Sequence, residues 1–300
     1  MRSVPFLFER KGHVMKVAVI GIGEMGFPMA GFLKKAGHDV AVFDIDSSRM
    51  ATAAEHGFEI AANLKELAGK AEIFIAVVNT DQQSIDVTEV ISANAAKGSI
   101  IVISATNNPL TMRDLGKLCA TRGIGFIDSP VVYGASGAKK GTLLCLVGGE
   151  TDVIEKARPV LMAYSRDVMH VGPIGSGQLA KACNNLLHWV HCVSNYETLL
   201  LAKRWGIDAQ RMREVLLKCP AYNGTLDRWD TTKFTWQEKD MDVTMDLAQL
   251  AGLMLPMAGL TDQLVKTLKA KNVSELLYGA ECDYMGVHVM PLTAEEGGLA

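Results

Sequence analysis

The sequence predicts an α/β N-terminal half built on a doubly wound parallel sheet, followed by an all-α C-terminal half. Two observations carry this. Short apolar runs alternate with amphipathic segments through the first half, the pattern of strands whose crossovers are helices covering both sheet faces. From about Gly177 onward the strand-like runs stop and helical patterns follow one another. At 300 residues the chain also exceeds the usual single-domain size, so two domains are expected, each able to bury its own core.

The elements read in order as follows. Met15 directly precedes the first strand pattern, so residues 1–14 are expected to be a disordered extension, and a dinucleotide-binding domain is expected over residues 15–176. Its strands lie in "KVAVIGIG", "DVAVFD", "AEIFIAVV", "SIIVIS", "GFIDSPV" and "LLCLVGG", with "GFPMAGFLKKAG" and "SSRMATAAEHG" as the first helices. Glycine and serine at Gly175 to Gly177 mark the join to a helical substrate and dimerisation domain over residues 177–300. A long helix runs through "QLAKACNNLLHWVHCVSNYETLLLAKRWG", others through "DAQRMREVLLKC" and "EKDMDVTMDLAQLAGLM", and Pro256 opens or interrupts one through "MAGLTDQLVKTLKAKN". The tail after about residue 280 either caps this domain or crosses to another subunit.

Composition narrows the function classes. A hydrophobic content of 49% with 21% charged residues describes a folded globular chain. The net charge of -3 and scattered Lys and Arg offer no footprint for nucleic acid or for an anionic membrane, and no apolar run is long and uncharged enough to span a bilayer. Six cysteines without a CxxC pair point to a reduced, cytoplasmic protein.

The first strand runs into Gly21, Gly23 and Gly26. In such a trio the first glycine makes the tight turn, the second lets backbone approach a pyrophosphate, and the third lets the helix pack closely, its N-terminus favouring the phosphate charge. The second strand ends at Asp44, about twenty residues on, where a carboxylate binds both ribose hydroxyls and repels a 2'-phosphate. The half is therefore Rossmann-type, and NAD is preferred over NADP, with Arg49 the residue that could spoil the preference.

One stripe of the long helix is polar where a core face should be apolar: Lys181, Asn185, His188 and Cys192 share a face. Reduction of a carbonyl by hydride develops negative charge on oxygen, and a lysine on a rigid helix can donate the proton there. Desolvation readily brings a lysine toward the neutral form that the reverse reaction needs. Read alone, Lys181 would be a snorkelling surface lysine; its place one turn before Asn185 and after a glycine linker favours catalysis. His188, His191 and Cys192 lack a carboxylate or a third spaced ligand, so no metal is expected.

In "GIGEMGFPMA", "DSPVVYGASGAKKGTLLCLVGG", "GSGQLAKACNNLL" and "FTWQEKDMDVTMDLA", in that order, the chain resembles the β-hydroxyacid dehydrogenases, which include 3-hydroxyisobutyrate dehydrogenase and tartronate semialdehyde reductase. The resemblance implies NAD-dependent hydride transfer between nicotinamide and the alcohol or carbonyl of a small hydroxy acid, in a homodimer or homotetramer. It makes Lys181 the general acid/base, Asn185 the substrate orienter, and Thr106 and Lys239 neighbours of the nicotinamide end, with Met25 and Asn79 joining the cofactor set and His188 a pocket residue. Asp240 would be a structural partner. Relatives that reduce imines commonly carry aspartate or tyrosine at the lysine position, and a non-catalytic dinucleotide-binding module would not need the Lys181 and Asn185 pair, so both alternatives rank lower.

Departures matter as much. Where the family commonly reads "DAPVSGG", this chain has "DSPVVYG", so the serine and first glycine of the substrate carboxylate cradle become Val132 and Tyr133, ahead of Gly134. Val132 has no side-chain hydrogen bond to give, and Tyr133 restricts the backbone. We expect Tyr133 to line a remodelled pocket, its ring meeting an apolar or larger substrate or its hydroxyl replacing the lost serine. In "ISATNNP", Ala105 and Ile103 also replace the usual serine and aspartate, while Thr106 is kept.

Overall fold

The computed structural model describes residues 14–299; apart from Val14, the expected N-terminal extension lies outside them. The chain divides into two compact units, the first ending at Lys181 and the second beginning at Ala182.

The first unit alternates strands and helices: β1 (Lys16–Ile20), α1 (Gly26–Lys35), β2 (Asp39–Phe43), α2 (Ser47–Glu55), β3 (Glu59–Ile60), α3 (Leu64–Ala68), β4 (Ile73–Ala76), α4 (Asp81–Asn94), β5 (Ile100–Ile103), α5 (Pro109–Thr121) and β6 (Gly125–Asp128). Then come β7 (Val131–Val132), α6 (Gly134–Lys140), β8 (Leu143–Gly148), α7 (Thr151–Met162) and β9 (Ser165–Gly172). One sheet takes the order β3-β2-β1-β4-β5-β6-β8-β7, with β9 also on β8. From β3 to β6 every pairing is parallel. The crossover between β1 and β4 is the topological switch point, where open α/β sheets bind ligands.

Every residue of β4 and β5 is buried, as strands covered on both faces require. Val17, Val19, Val42, Ile75 and Val102 pack on one side of the sheet; Ala18, Phe74, Ile101 and Ile103 pack on the other. Helix starts are capped by Asp46, Asn63, Thr80 and Asn108, each side chain accepting a backbone N–H of the first turn. The sequence did not signal β7, which is two residues long, or β9, whose "SRDVMHVG" is mostly polar and exposed and is a strand through its pairing with β8.

Helix α8 (Ser176–Arg204) begins in the first unit and runs into the second. The second unit adds α9 (Ala209–Leu216), α10 (Gly224–Asp227), a 3-10 turn (Trp229–Thr231), α11 (Gln237–Leu250), α12 (Pro256–Val265) and α13 (Ala270–Tyr278). Its core gathers Trp189, Cys192, Tyr196, Leu199, Trp229, Met241 and Leu276. Pro256 opens α12 at its first turn, where a missing N–H costs nothing. The single helix expected beyond it is two, because Lys269 leaves helical geometry and its N–H bonds the Asn272 side chain to start α13.

The helical half also carries a hairpin, β10 (Cys282–Tyr284) with β11 (Val287–Val289). The tail caps its own domain: Tyr284 donates to Glu197, Tyr196 to the Asp283 carbonyl, and Leu292 and Leu299 bond the backbone of Arg204 and Trp205. Cys119, Cys145, Cys192 and Cys282 are buried, Cys219 is partly so, and Cys183 is exposed.

Candidate active site

The glycine turn follows β1. Gly21 has φ +85°, a left-handed backbone that L side chains rarely adopt, and a Cβ there would lie 2.3 Å from the Val77 carbonyl oxygen. A Cβ on Gly26 would lie 1.9 Å from the carbonyl oxygen of Gly21, so α1 can begin this close to the turn only with glycine. Met25 is the residue before α1, packed against the core.

Asp44 directly follows β2, buried, its carboxylate accepting from Ile22 N at 2.8 Å and Asp46 N at 2.9 Å. Arg49 of α2 pairs with it at 3.2 Å and with Asp46 at 3.5 Å, and its guanidinium lies 3.4 Å from where a Gly23 Cβ would be. A close-approach glycine turn, a helix N-terminus and a pinned acidic residue fit a dinucleotide. Asn79, exposed on the loop after β4, donates its N–H to the Gln83 side chain.

Thr106 lies half-buried after β5, between two residues gripped by one side chain. Gln178 of α8, buried, donates Nε2–H to the Ala105 carbonyl at 2.8 Å and accepts Asn107 N–H at 2.9 Å. From the other side, α4 holds the loop: Asn107 and Asn108 donate to Asp81, and Ser84 donates to Asn107.

Lys181, also on α8, is half-buried, and its ammonium donates to the Val131 carbonyl at 2.9 Å. Val132 is buried in β7. Tyr133 has φ +81°, a left-handed conformation in a bulky residue, at the start of α6 where Gly134 follows. This conformation costs on the order of 1–2 kcal/mol. Arg166 of β9 stacks over the Tyr133 ring, 4.1 Å from its centroid, and donates to the hydroxyl. The hydroxyl expected to stand in for serine therefore already accepts a hydrogen bond.

In the second unit, Asn185 is buried one turn beyond Lys181 on α8 and accepts from the Asn184 amide. His188 bonds Thr225 at 3.0 Å and its ring lies 4.6 Å from that of Trp189, so it takes part in the packing of the helical unit. Lys239 lies in the first turn of α11, half-buried. Its neighbour Asp240 accepts from Trp189 Nε1, a structural tie between α11 and α8. Among the described residues no group of His, Cys, Asp and Glu could hold a metal ion.

Sequence reasoning passed over Asp128 and Gln178. Asp128 ends β6, fully buried, and accepts from Gly175 N at 2.7 Å and Gln178 N at 2.9 Å. Burial outweighs these bonds and pushes its carboxyl up to about 6. The available signal was a carboxylate closing an apolar strand, with glycine at 175 and 177 opening the next helix.

A glycine turn at the switch point and a pinned acidic residue after β2 fit a nucleotide-binding protein, and its likeness to known proteins gives its class. Residues 16–172 match the family described as the NAD binding domain of 6-phosphogluconate dehydrogenase, and residues 175–276 match the NAD-binding family of NADP-dependent 3-hydroxyisobutyrate dehydrogenase. The chain is 32% identical to 3-hydroxyisobutyrate dehydrogenase of Pseudomonas aeruginosa, over 71% of this chain and 73% of that protein. It is 28% identical to NAD-dependent L-serine dehydrogenase of the same organism, over 87% of this chain and 94% of the relative. The structure of Mycobacterium tuberculosis 3-hydroxyisobutyrate dehydrogenase with L-serine superposes with a TM-score of 0.81 at 25% identity, covering 89% of this chain and 100% of that one. The chain belongs to the β-hydroxyacid dehydrogenase family and is an NAD-dependent oxidoreductase acting on CH–OH groups.

The Asp128 carboxyl gives a pH signature. Because its folded value of about 6 lies above the ordinary carboxylate value, its contribution to stability is full in acid and lost as pH rises through about 6. A rise of this size corresponds to about 3 kcal/mol. Urea unfolding of the wild type and Asp128→Asn between pH 4 and 7 is expected to show their stability difference moving by about that amount in favour of the variant as pH rises.

Proposed function

We propose that the chain interconverts a small β-hydroxy acid and its carbonyl product, with Lys181 as general acid/base and Asn185 orienting the substrate. The observation that supports this most directly is the Lys181 ammonium held at Val131, in the segment where the family's substrate cradle begins. NAD, when bound, accepts or gives the hydride. Gly21, Gly23, Met25, Gly26, Asp44, Asn79, Thr106 and Lys239 form the cofactor set. Lys181 keeps one N–H on the Val131 carbonyl, which orients Nζ so that another proton moves to or from the substrate oxygen. Asp44 carries the preference for NAD over NADP, since its carboxylate would face a 2'-phosphate. Arg49 is paired with Asp44 and Asp46, which leaves its charge balanced at that position.

Val132, Tyr133 and Gly134 form the altered substrate loop. The Tyr133 ring and the Arg166 guanidinium on it replace a serine and glycine cradle with a bulkier, cationic wall. The ring offers contact to a substrate more apolar or larger than L-serine, and such an acid is what this loop is expected to select. His188 acts by packing against Trp189.

The apolar residues Leu250, Leu253, Met254, Met257 and Leu260 are exposed around the end of α11 and the start of α12 and support assembly into a homodimer or homotetramer. A cytoplasmic setting agrees with six unpaired cysteines; no helix of the described residues is long and apolar enough to cross a membrane.

Three measurements test this reading. NADH formation across a panel of hydroxy acids is expected with the wild type, and Lys181→Ala should lower kcat by about 10²–10⁴-fold with NAD binding retained; turnover undiminished in the variant would remove Lys181 from the chemistry. Tyr133→Gly removes the ring and the left-handed strain of about 1 kcal/mol together with the Arg166 contacts, and should lower KM for L-serine relative to larger acids; an unchanged selectivity profile would leave Tyr133 a neutral loop change. Light scattering should give a mass of two or four chains, and a monomer would overturn the assembly.

A further inference from the structure

We propose that Asp128 and Gln178 are positioning residues of the reaction, fixing the first turn of α8 to the ends of β6 and β5 and thereby setting where Lys181 presents its proton. The inference rests on the reading of Lys181 as general acid/base.

The geometry is a closed ring. Asp128 accepts from Gly175 N and Gln178 N, which anchors the beginning of α8. One turn on, Lys181 returns to the chain just beyond β6 through its bond to the carbonyl of Val131 in β7, three residues past Asp128. The helix turn between Gln178 and Lys181 is thus tied at both ends to residues 128–131. Gln178 adds the second anchor, holding Ala105 and Asn107 with one amide and so fixing Thr106 between them. Proton donor and cofactor loop then share one rigid reference.

The surroundings are shaped around the carboxylate. A Cβ on Gly148 would lie 2.4 Å from Asp128 Oδ1, and one on Gly177 would lie 2.8 Å from Oδ2 and 2.4 Å from the Leu146 carbonyl oxygen. Both glycines leave the space the carboxylate fills. Among the described residues no cation pairs with Asp128, so the charge is met by backbone N–H groups alone. Capping a helix does not require a buried charge, since an exposed Ser, Thr or Asn does as well. What this arrangement adds is fixed distance: two acceptor oxygens on one short side chain define both the depth and the rotation of α8. A catalytic group displaced by about 1 Å can lose about 10²-fold in rate.

The test compares full-length Asp128→Asn, Gln178→Ala and Lys181→Ala with the wild type, measuring kcat and KM for the best hydroxy acid of the panel, NADH affinity by fluorescence, and thermal unfolding. Asp128→Asn replaces one acceptor oxygen with an NH₂ that faces a backbone N–H. Gln178→Ala removes the loop anchor and keeps the Asp128 bonds. Each is expected to lower kcat by about 10- to 100-fold with a cooperative unfolding transition retained; NADH affinity should stay within about twofold in Asp128→Asn and weaken in Gln178→Ala, which releases the loop around Thr106.

If Asp128 acts through Lys181, adding Asp128→Asn to Lys181→Ala should change the residual rate by less than about threefold, because effects on one shared group are not additive. Should Asp128→Asn not fold, Asp128→Ser, which keeps one short acceptor oxygen, takes its place alone and in the double variant. A kcat within about twofold of wild type in the folded variants, or full additivity with Lys181→Ala, would overturn the proposal. Were Lys181→Ala itself to keep wild-type turnover, the acid/base reading would fail, and this inference with it.

Discussion

A carboxylate taken out of water with no cation beside it must be met by N–H donors, and wherever that condition holds the surrounding backbone loses its freedom. Asp128 imposes this condition at the end of β6. The glycines at 148 and 177 leave the room it fills, and the backbone N–H groups of the turn into α8 meet its oxygens. The charged form is disfavoured by burial. Keeping such a group costs stability, a cost that proteins often accept where geometry matters more.

The first unit divides two tasks between two kinds of constraint. At the switch point the constraint is steric: the turn exists because Gly21 and Gly26 carry no Cβ where carbonyl oxygens approach within bonding range. At the turn into α6 it is conformational and electrostatic. Tyr133 holds a backbone angle suited to glycine, and the stacked Arg166 holds the ring. A position that favours a small, flexible residue thus carries a held aromatic ring with a cation on its face.

Much of this was legible in the sequence because it rests on local patterns. The glycine trio, the acidic residue after β2, the apolar strands and the polar stripe on α8 each have a spacing that chemistry explains. What was hidden depends on partners distant in sequence. β9 is polar on most of its length and is a strand only because β8 offers a ladder. Gln178 looks like an ordinary helix residue until residues 105 and 107, more than seventy positions away, are seen on its amide. The bond of His188 to Thr225 likewise joins residues that no local pattern links. The break between α12 and α13 lacked a glycine or proline to announce it, and arises from the Asn272 cap.

The cysteines have a consequence for how the protein meets oxidants and alkylating reagents. Burial pushes the thiols of Cys119 and Cys145 up to about 12 and about 11, and raises those of Cys192 and Cys282, so these sulfurs stay protonated and shielded at neutral pH. Cys183 is open to solvent and sits on α8 between Lys181 and Asn185. A thiol reagent too bulky to enter the core therefore attaches first to the helix that carries Lys181 and Asn185, which makes that helix both the natural seat for a spectroscopic reporter and the place where chemical damage would first be felt.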